Sequence, residues 1–507
     1  MSNGNRLNNG SERVLKISKE SFLNFDISKP ETAIILAAGH GKRIKSKTSK
    51  MLHQIWGKPT VERVYEACES GLGRVNVIVV VGVKAGDVID AIGGSHDACF
   101  AYQAEQNGTG HAVQVALDFV DRKKYDGIVY IFPGDMGLID DATISRFKNE
   151  FIGSGNDMMV LTGLYGGNYI NNTYGRIVRV NYKDVEGNPS GDDNGKVIEI
   201  VEYKDIMAMN ESENKTFKFN GKTYSYSKEY LLKNNEFNSG VYAIKFKHLQ
   251  MLINEINSDN AQNEMYITDL ISIFNKNGLT VGAVYPDNQN ALIGFNNKSV
   301  LREMETIARN NAYNKLKDIV DIEDPDDFYI HDEVINQIIE KDKSGQPLDI
   351  RIGRGVYLGK GVELNYNLTL KRHAYICGGV VFGKNNVIEE NAHLSTYPGQ
   401  KLILGDNVQI FWGNIIKGNI KIGNNSSIES SVNMTGSDEF PLRIGKNVTI
   451  KGTSYLFGST VEDDVFVEHS VLIKKKVKKV VLENGETQKI SFYLPAPVGE
   501  DAVKDLK

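Results

Sequence analysis

Residues Ile352 to Leu370 read IGRGVYLGKGVELNYNLTL, with an aliphatic residue at every sixth position: Ile352, Leu358, Leu364 and Leu370. The register continues through Ile376, Phe382, Ile388 and Leu394, resumes at Leu404, Ile410, Ile416, Ile422, Ile428 and Met434, and resumes again at Ile444, Ile450 and Leu456. Each restart comes four residues late, which reads as a small loop let out of a regular coil. A second, smaller apolar set (Val356, Val362, Leu368, Ala374, Val380) completes a hexapeptide repeat. If three hexads close one coil, this period predicts a parallel β-helix of about six to seven coils, each burying its core against its neighbours. Gly353, Gly359, Gly383, Gly405, Gly423 and Gly445 follow inward aliphatics, where turns would use a permissive backbone.

Upstream of the repeat, Val300 to Asn310 has helical spacing, Asp324-Pro325-Asp326-Asp327 marks a break, and Glu340 to Pro347 reads as an exposed loop. The N-terminal half alternates short apolar runs (Ala33 to Leu36, Val77 to Val81, Ile128 to Phe132, Met158 to Leu161) with helix-length segments such as Val61 to Ser70 and Gly110 to Val120. That alternation predicts a mostly parallel, doubly wound α/β sheet with its ligand at the carboxyl ends of the strands. Two polar stretches, Asp184 to Gly195 and Ala208 to Asn235, interrupt it and are expected on the surface.

Directly after Ala33-Ile34-Ile35 comes LAAGHGKRIKSKTSK, Leu36 to Lys50. A Gly-punctuated loop at a strand end presents backbone N–H groups, and Arg43 and Lys50 add a planar fork and a point charge, a set suited to a nucleoside triphosphate. A solvated basic turn is the plainer reading of the same residues. Gly134-Asp135 follows the run Ile128 to Phe132 on the same sheet edge. An Asp there is commonly a helix cap, but beside a triphosphate it suits a Mg²⁺ ligand.

The chain has 507 residues and a net charge of −5, from 59 basic and 64 acidic side chains. Its length suggests two or three domains, and it lacks the basic field of a nucleic-acid binder. Cys68, Cys99 and Cys377 are widely spaced and odd in number, which argues against disulfides and structural zinc and for a reducing cytoplasm. Residues 1 to 30 have no apolar core of a leader, and Val77 to Val81 is too short to span a bilayer.

In order along the chain stand Leu36-Ala37-Ala38-Gly39, Arg43, Lys50, QAEQNGTGHA (Gln103 to Ala112), Gly134-Asp135, YGRI (Tyr174 to Ile177), Glu202, Asn238-Ser239-Gly240, NEMYITD (Asn263 to Asp269) and GFNN (Gly294 to Asn297). Over residues 31 to 330 this resembles the bacterial N-acetylglucosamine-1-phosphate uridylyltransferases, in which a left-handed β-helix follows a Rossmann-like nucleotidyltransferase domain. The resemblance implies that Leu36, Ala37, Ala38, Gly39, Gln103, Gly108 and Thr109 hold the nucleotide, and that Gly175, Glu202 and Asn238 hold the sugar. It further implies that Asp135 and Asn296 bind Mg²⁺, while Arg43 and Lys50 act on the phosphates. Thr268 and Asp269 read as a helix cap instead. The implied reaction joins UTP and N-acetylglucosamine 1-phosphate, with no covalent intermediate, in a homotrimer assembled through the β-helix.

The corresponding domain plan is an extension (1–30), a nucleotidyltransferase domain (31–298), a helical linker and the start of the helix domain (299–350), the β-helix (351–475) and a tail (476–507). Lys42, Ser49, Pro133 and Gly137 depart from the family's residues around the uridine and sugar. Bifunctional members also acetylate glucosamine 1-phosphate with the β-helix, but the surroundings of His373 and His393 do not match that machinery. Three further readings stay open: a uridylyl- or thymidylyltransferase for another sugar 1-phosphate, a bifunctional enzyme with an additional acetyltransferase activity, and a non-enzymatic assembly protein that binds a nucleotide sugar.

Overall fold

A computed structural model describes residues 3–39, 41, 44–92 and 97–492, with backbone only for 3–11. The chain divides into two compact units, Met1–Glu305 and Thr306–Lys507.

The first unit is built on a sheet whose main path runs Val281–Val284, Met158–Leu164, Glu236–Lys245, Ile128–Pro133, Glu31–Leu36, Val75–Val81, Cys99–Tyr102. Every pairing along this path is parallel except the two made by Glu236–Lys245. Ala33, Ile34 and Ile35 are fully buried because helices cover both faces of their strand, as a continuous apolar run requires. One face carries Val61 and Val64 of the helix Thr60–Leu72 with Ile144, Phe147 and Phe151 of Asp141–Ser154. The other carries Val113 and Leu117 of Thr109–Leu117 with Leu270 and Phe274 of Asp269–Lys276. Chain order reverses around Glu31–Leu36, whose neighbours are Val75–Val81 on one side and Ile128–Pro133 on the other. Such a switch point opens a crevice at the strand ends.

The polar stretch Ala208 to Asn235 is largely exposed, as expected, but it is ordered into regular elements. It forms a hairpin, Asn214–Phe219 against Lys222–Ser227, and the helix Lys228–Lys233. Phe217, Phe219, Tyr224 and Tyr226 bury with Val178, Val201, Ile206 and Leu231 in a small core of their own.

The second unit is a left-handed parallel β-helix. Very short strands stack in three parallel sheets of eight, eight and six strands. Every residue of the six-residue register from Ile352 to Leu456 is buried, at 4% exposure or less. Stacking begins earlier than that register indicates, since Asp321–Ile322 pairs with Arg351–Ile352 and Tyr329–Ile330 with Tyr357–Leu358. The Glu340 to Pro347 loop is also shorter than expected, because the helix Asp332–Asp342 takes its first three residues.

The glycines that follow inward aliphatics serve another purpose than the one their position suggests. None of Gly353, Gly359, Gly383, Gly405, Gly423 and Gly445 has positive φ. A Cβ on Gly383 would lie 2.4 Å from the backbone of Gly405, and one on Gly423 2.6 Å from that of Gly445, so the requirement is close approach of stacked coils. One column of left-handed corners is taken by Asn367, Asn385, Asn407, Asn425 and Asn447, with φ between 54° and 60°, followed by Asp464. Their side chains form a ladder along the outside, each Asn Nδ2 donating to the next Oδ1 at 2.7–3.2 Å.

Candidate nucleotidyl-transfer site

At the carboxyl edge of Glu31–Leu36 and Ile128–Pro133 lies a cavity of about 990 Å³ lined by Leu36, Ala38, Gly39, Lys50, Gln103, Gly108, Thr109, Asp135, Glu202, Asn238 and Asn296. Eleven of the residues expected from the sequence thus meet in one cavity. Ala37 lies just behind the wall, 1% exposed, its N–H donating to the Val80 carbonyl at 2.9 Å. Gly175 stands behind Glu202: a Cβ there would lie 3.1 Å from Glu202 Oε1. Arg43, and with it Lys42, lies outside the described residues.

One end of the cavity is built by the Gln103 to Thr109 turn. Gly108 has φ of 105°, and a Cβ on it would come within 2.5 Å of the Met265 carbonyl. The turn is laced to its neighbour by Gly110 N–H to Met265 O (2.7 Å), Met265 N–H to Asn107 O (2.8 Å) and Ile267 N–H to Thr109 Oγ1 (3.0 Å). Gln103 Nε2 donates to Gly108 O at 3.2 Å and lies 3.1 Å from His111 Nδ1, which fixes the amide plane. A flat base finds backbone edges here together with an oriented carboxamide.

At the other end, the strand Glu236–Lys245 carries a bulge between Asn238 and Val241 that turns Asn238 into the cavity. Asn238 Oδ1 accepts from Gly240 N (2.9 Å) and Tyr242 OH (3.0 Å), which leaves its Nδ2 for a ligand. Gly240 has φ of 84° and sits against Pro133, 2.8 Å from where a Cβ would fall. The Glu202 carboxyl is pushed up to about 7, first by burial, then by Asp205 and Asp269. Asp269 is raised to about 6, again mainly by burial.

Between the two ends, Lys50 Nζ donates to Asp135 Oδ2 and, at 2.9 Å, to Asn296 Oδ1, with Phe295 5.4 Å beneath the ammonium. Both side chains of the Lys50–Asp135 pair are largely buried. Two oxygens converging on one cation is a fit to a divalent metal that completes its shell with phosphate oxygens. Among the described residues there is no cluster of three or more His, Cys, Asp or Glu that could hold a metal ion.

Sequence reasoning missed some of the lining. Thr268 is the N-cap residue of Asp269–Lys276 but makes no side-chain cap bond; its Oγ1 is buried, lines the cavity and lacks a partner, so the cap reading does not hold for its side chain. Gln106, inside the quoted QAEQ phrase, lines the cavity with an equally unpartnered Oε1.

This sheet, this crevice and this pairing of a nucleotide-shaped turn with a polar sugar-sized end define a nucleotidyltransferase, working on a nucleotide and a sugar phosphate with a divalent metal. Residues 33–177 match the MobA-like NTP transferase domain. The bifunctional protein GlmU of Caldanaerobacter subterraneus subsp. tengcongensis is 31% identical over 478 residues, covering 85% of this chain and 93% of that protein. Its namesake from Acetivibrio thermocellus is 31% identical over 486 residues, 87% and 94% of the two chains. That of Clostridium perfringens (strain ATCC 13124) reaches 36% over 308 residues, 60% and 58%. The chain belongs to the GlmU family.

Proposed function

We propose that the protein transfers a uridylyl group from UTP to N-acetyl-α-D-glucosamine 1-phosphate, giving UDP-N-acetylglucosamine and pyrophosphate. The observation that carries this reading is the cation position shared by Asp135 and Asn296, with Lys50 in it, in the same cavity as the Gln103 to Thr109 turn and as Glu202 and Asn238. Leu36 to Gly39, Gln103, Gly108 and Thr109 hold the uridine; Gly175, Glu202 and Asn238 hold the sugar. Asp135 and Asn296 hold Mg²⁺, which when bound neutralises phosphate charge. Lys50 binds the reacting phosphates, and Arg43 takes the departing pyrophosphate. A sugar-phosphate oxygen, already ionised, attacks the α-phosphorus in line, and the bond to the β-phosphate breaks, so no general base is needed.

The catalytic domain in this reading is residues 31–298. The β-helix serves assembly as a homotrimer in the cytoplasm, with no nucleic-acid partner. Among the described residues no helix is long and apolar enough to cross a membrane. The relatives carry the name bifunctional, while His373 and His393 of this β-helix are engaged locally in the fold. His373 sits at a corner with φ of 59°, and His393 stacks on Tyr375 at 4.7 Å with Nε2 3.0 Å from Ser395 Oγ.

The test is pyrophosphate release from UTP and Mg²⁺ with N-acetylglucosamine, glucose and galactosamine 1-phosphates side by side. Preference for the first is expected. Preference for another ester would keep the reaction and reassign the sugar, and no release with any of them would remove the proposal.

A further inference from the structure

Arg176 is the largest fully buried side chain among the described residues, with 0% exposure. A buried guanidinium is ordinarily matched by a carboxylate, because an unpaired charge in the interior costs several kcal/mol. Three residues along the same strand, Arg179 follows that rule, with two 2.7 Å bonds to Glu236 that hold its charge firmly on. Arg176 has no ion-pair partner among the described residues, and burial pushes its guanidinium down from the usual range. It spends its fork on two carbonyls of one turn, Nη1 on Tyr174 O and Nη2 on Asn172 O at 2.8 Å, while Nε has no partner.

That turn leads straight into Gly175. Asn172 Oδ1 accepts the Tyr174 N–H at 3.1 Å, and the Tyr174 ring stacks on Phe237 at 4.5 Å. Gly175 in turn accepts the Asn238 N–H at 2.9 Å and abuts Glu202. The clamp therefore ends at Gly175, which touches both Glu202 and Asn238.

We infer that Arg176 is a positioning residue for the sugar end of the cavity: it holds the Asn172 to Tyr174 turn so that Gly175 stays wedged between Glu202 and Asn238. This rests on the assignment of those three residues to the sugar.

The experiment is steady-state kinetics of the full chain carrying Arg176→Lys, which keeps the charge and loses the fork, with Asn172→Ala loosening the same turn from its other tie in case the first does not fold. The expected result is a KM for N-acetylglucosamine 1-phosphate raised on the order of tenfold, with kcat and the KM for UTP little changed. Millimolar guanidinium should restore part of the loss in Arg176→Ala. Glu202→Ala and Asn238→Ala run alongside. If these raise the sugar KM while the Arg176 and Asn172 variants leave it alone, or raise both KM values equally, the clamp is overturned and the sugar assignment stands. If none of the four raises it, the assignment falls and takes the clamp with it.

Discussion

The Lys50 ammonium is bound to the Asp135 carboxylate, and through the same nitrogen to Asn296, so a fixed positive charge sits on the oxygens that a metal would use. Two cations cannot share those oxygens without repulsion, so a metal held there would have to displace Lys50.

Lys50→Met should therefore have opposite effects on binding and on rate. Mn²⁺ affinity of the nucleotide-free protein, followed by titration calorimetry, should rise roughly tenfold once the competing ammonium is gone. Nucleotidyl transfer should fall by about 10²-fold or more, because a phosphate-stabilising charge is lost. Unchanged Mn²⁺ affinity would show that Lys50 does not compete for the site.

Glu202 gives a pH prediction. Its carboxyl is raised from 4.5 to about 7, so only above that range is it an ionised acceptor for sugar hydroxyls. The KM for the sugar phosphate should fall as pH rises through about 7 in the native chain, and stay flat across that range in Glu202→Gln. The stability linkage runs the opposite way: the folded state holds the proton more tightly than the unfolded chain, so the contribution is full below pH 4.5 and is lost as pH rises through about 7. A sugar KM that tracks pH equally in both proteins would exclude Glu202 as the cause.

Gly108→Ala places a methyl 2.5 Å from the Met265 carbonyl at a φ of 105°. Neither the turn nor Met265 can yield without breaking the bonds that lace them, so UTP affinity should drop by on the order of tenfold or more. Binding titrations with UTP would show it, and wild-type affinity would mean that the turn does not form the base pocket.

Asn407 has φ of 58° and both accepts from Asn385 and donates to Asn425 at 2.8 Å. Asn407→Ala should destabilise the β-helix by about 2 kcal/mol, with the left-handed backbone the larger share, and Asn407→Gly should recover roughly half. Urea unfolding followed by far-UV circular dichroism would measure both shifts. Transfer activity at low urea should be unaffected by either substitution.

The six-residue register was legible because every coil returns the same position to one narrow core, and Ile352 through Leu456 obey it without exception. The role of the glycines was not, since a sequence shows that a Cβ is missing and not whether torsion or a neighbouring coil forbids it. The hairpin between Glu202 and Asn238 looked polar, yet it carried a recognisable signal in Asn220-Gly221, with φ of 46° and 77°, flanked by alternating Phe217, Phe219, Tyr224 and Tyr226. That Leu36 to Gly39 and Gln103 to Thr109 contribute to one cavity could be read from contiguous phrases. Arg176 could not be read as a clamp, because its meaning lies in the carboxylate it lacks.

The asparagine ladder has a direction. Every rung passes its N–H toward the next coil, and the last acceptor, Asp464, has no N–H to pass on; it takes one bond from Asn447 and closes with Lys479 Nζ at 2.9 Å. A repeat that could in principle elongate without limit thus carries its own full stop, written as one carboxylate where the grammar of the ladder asks for an amide.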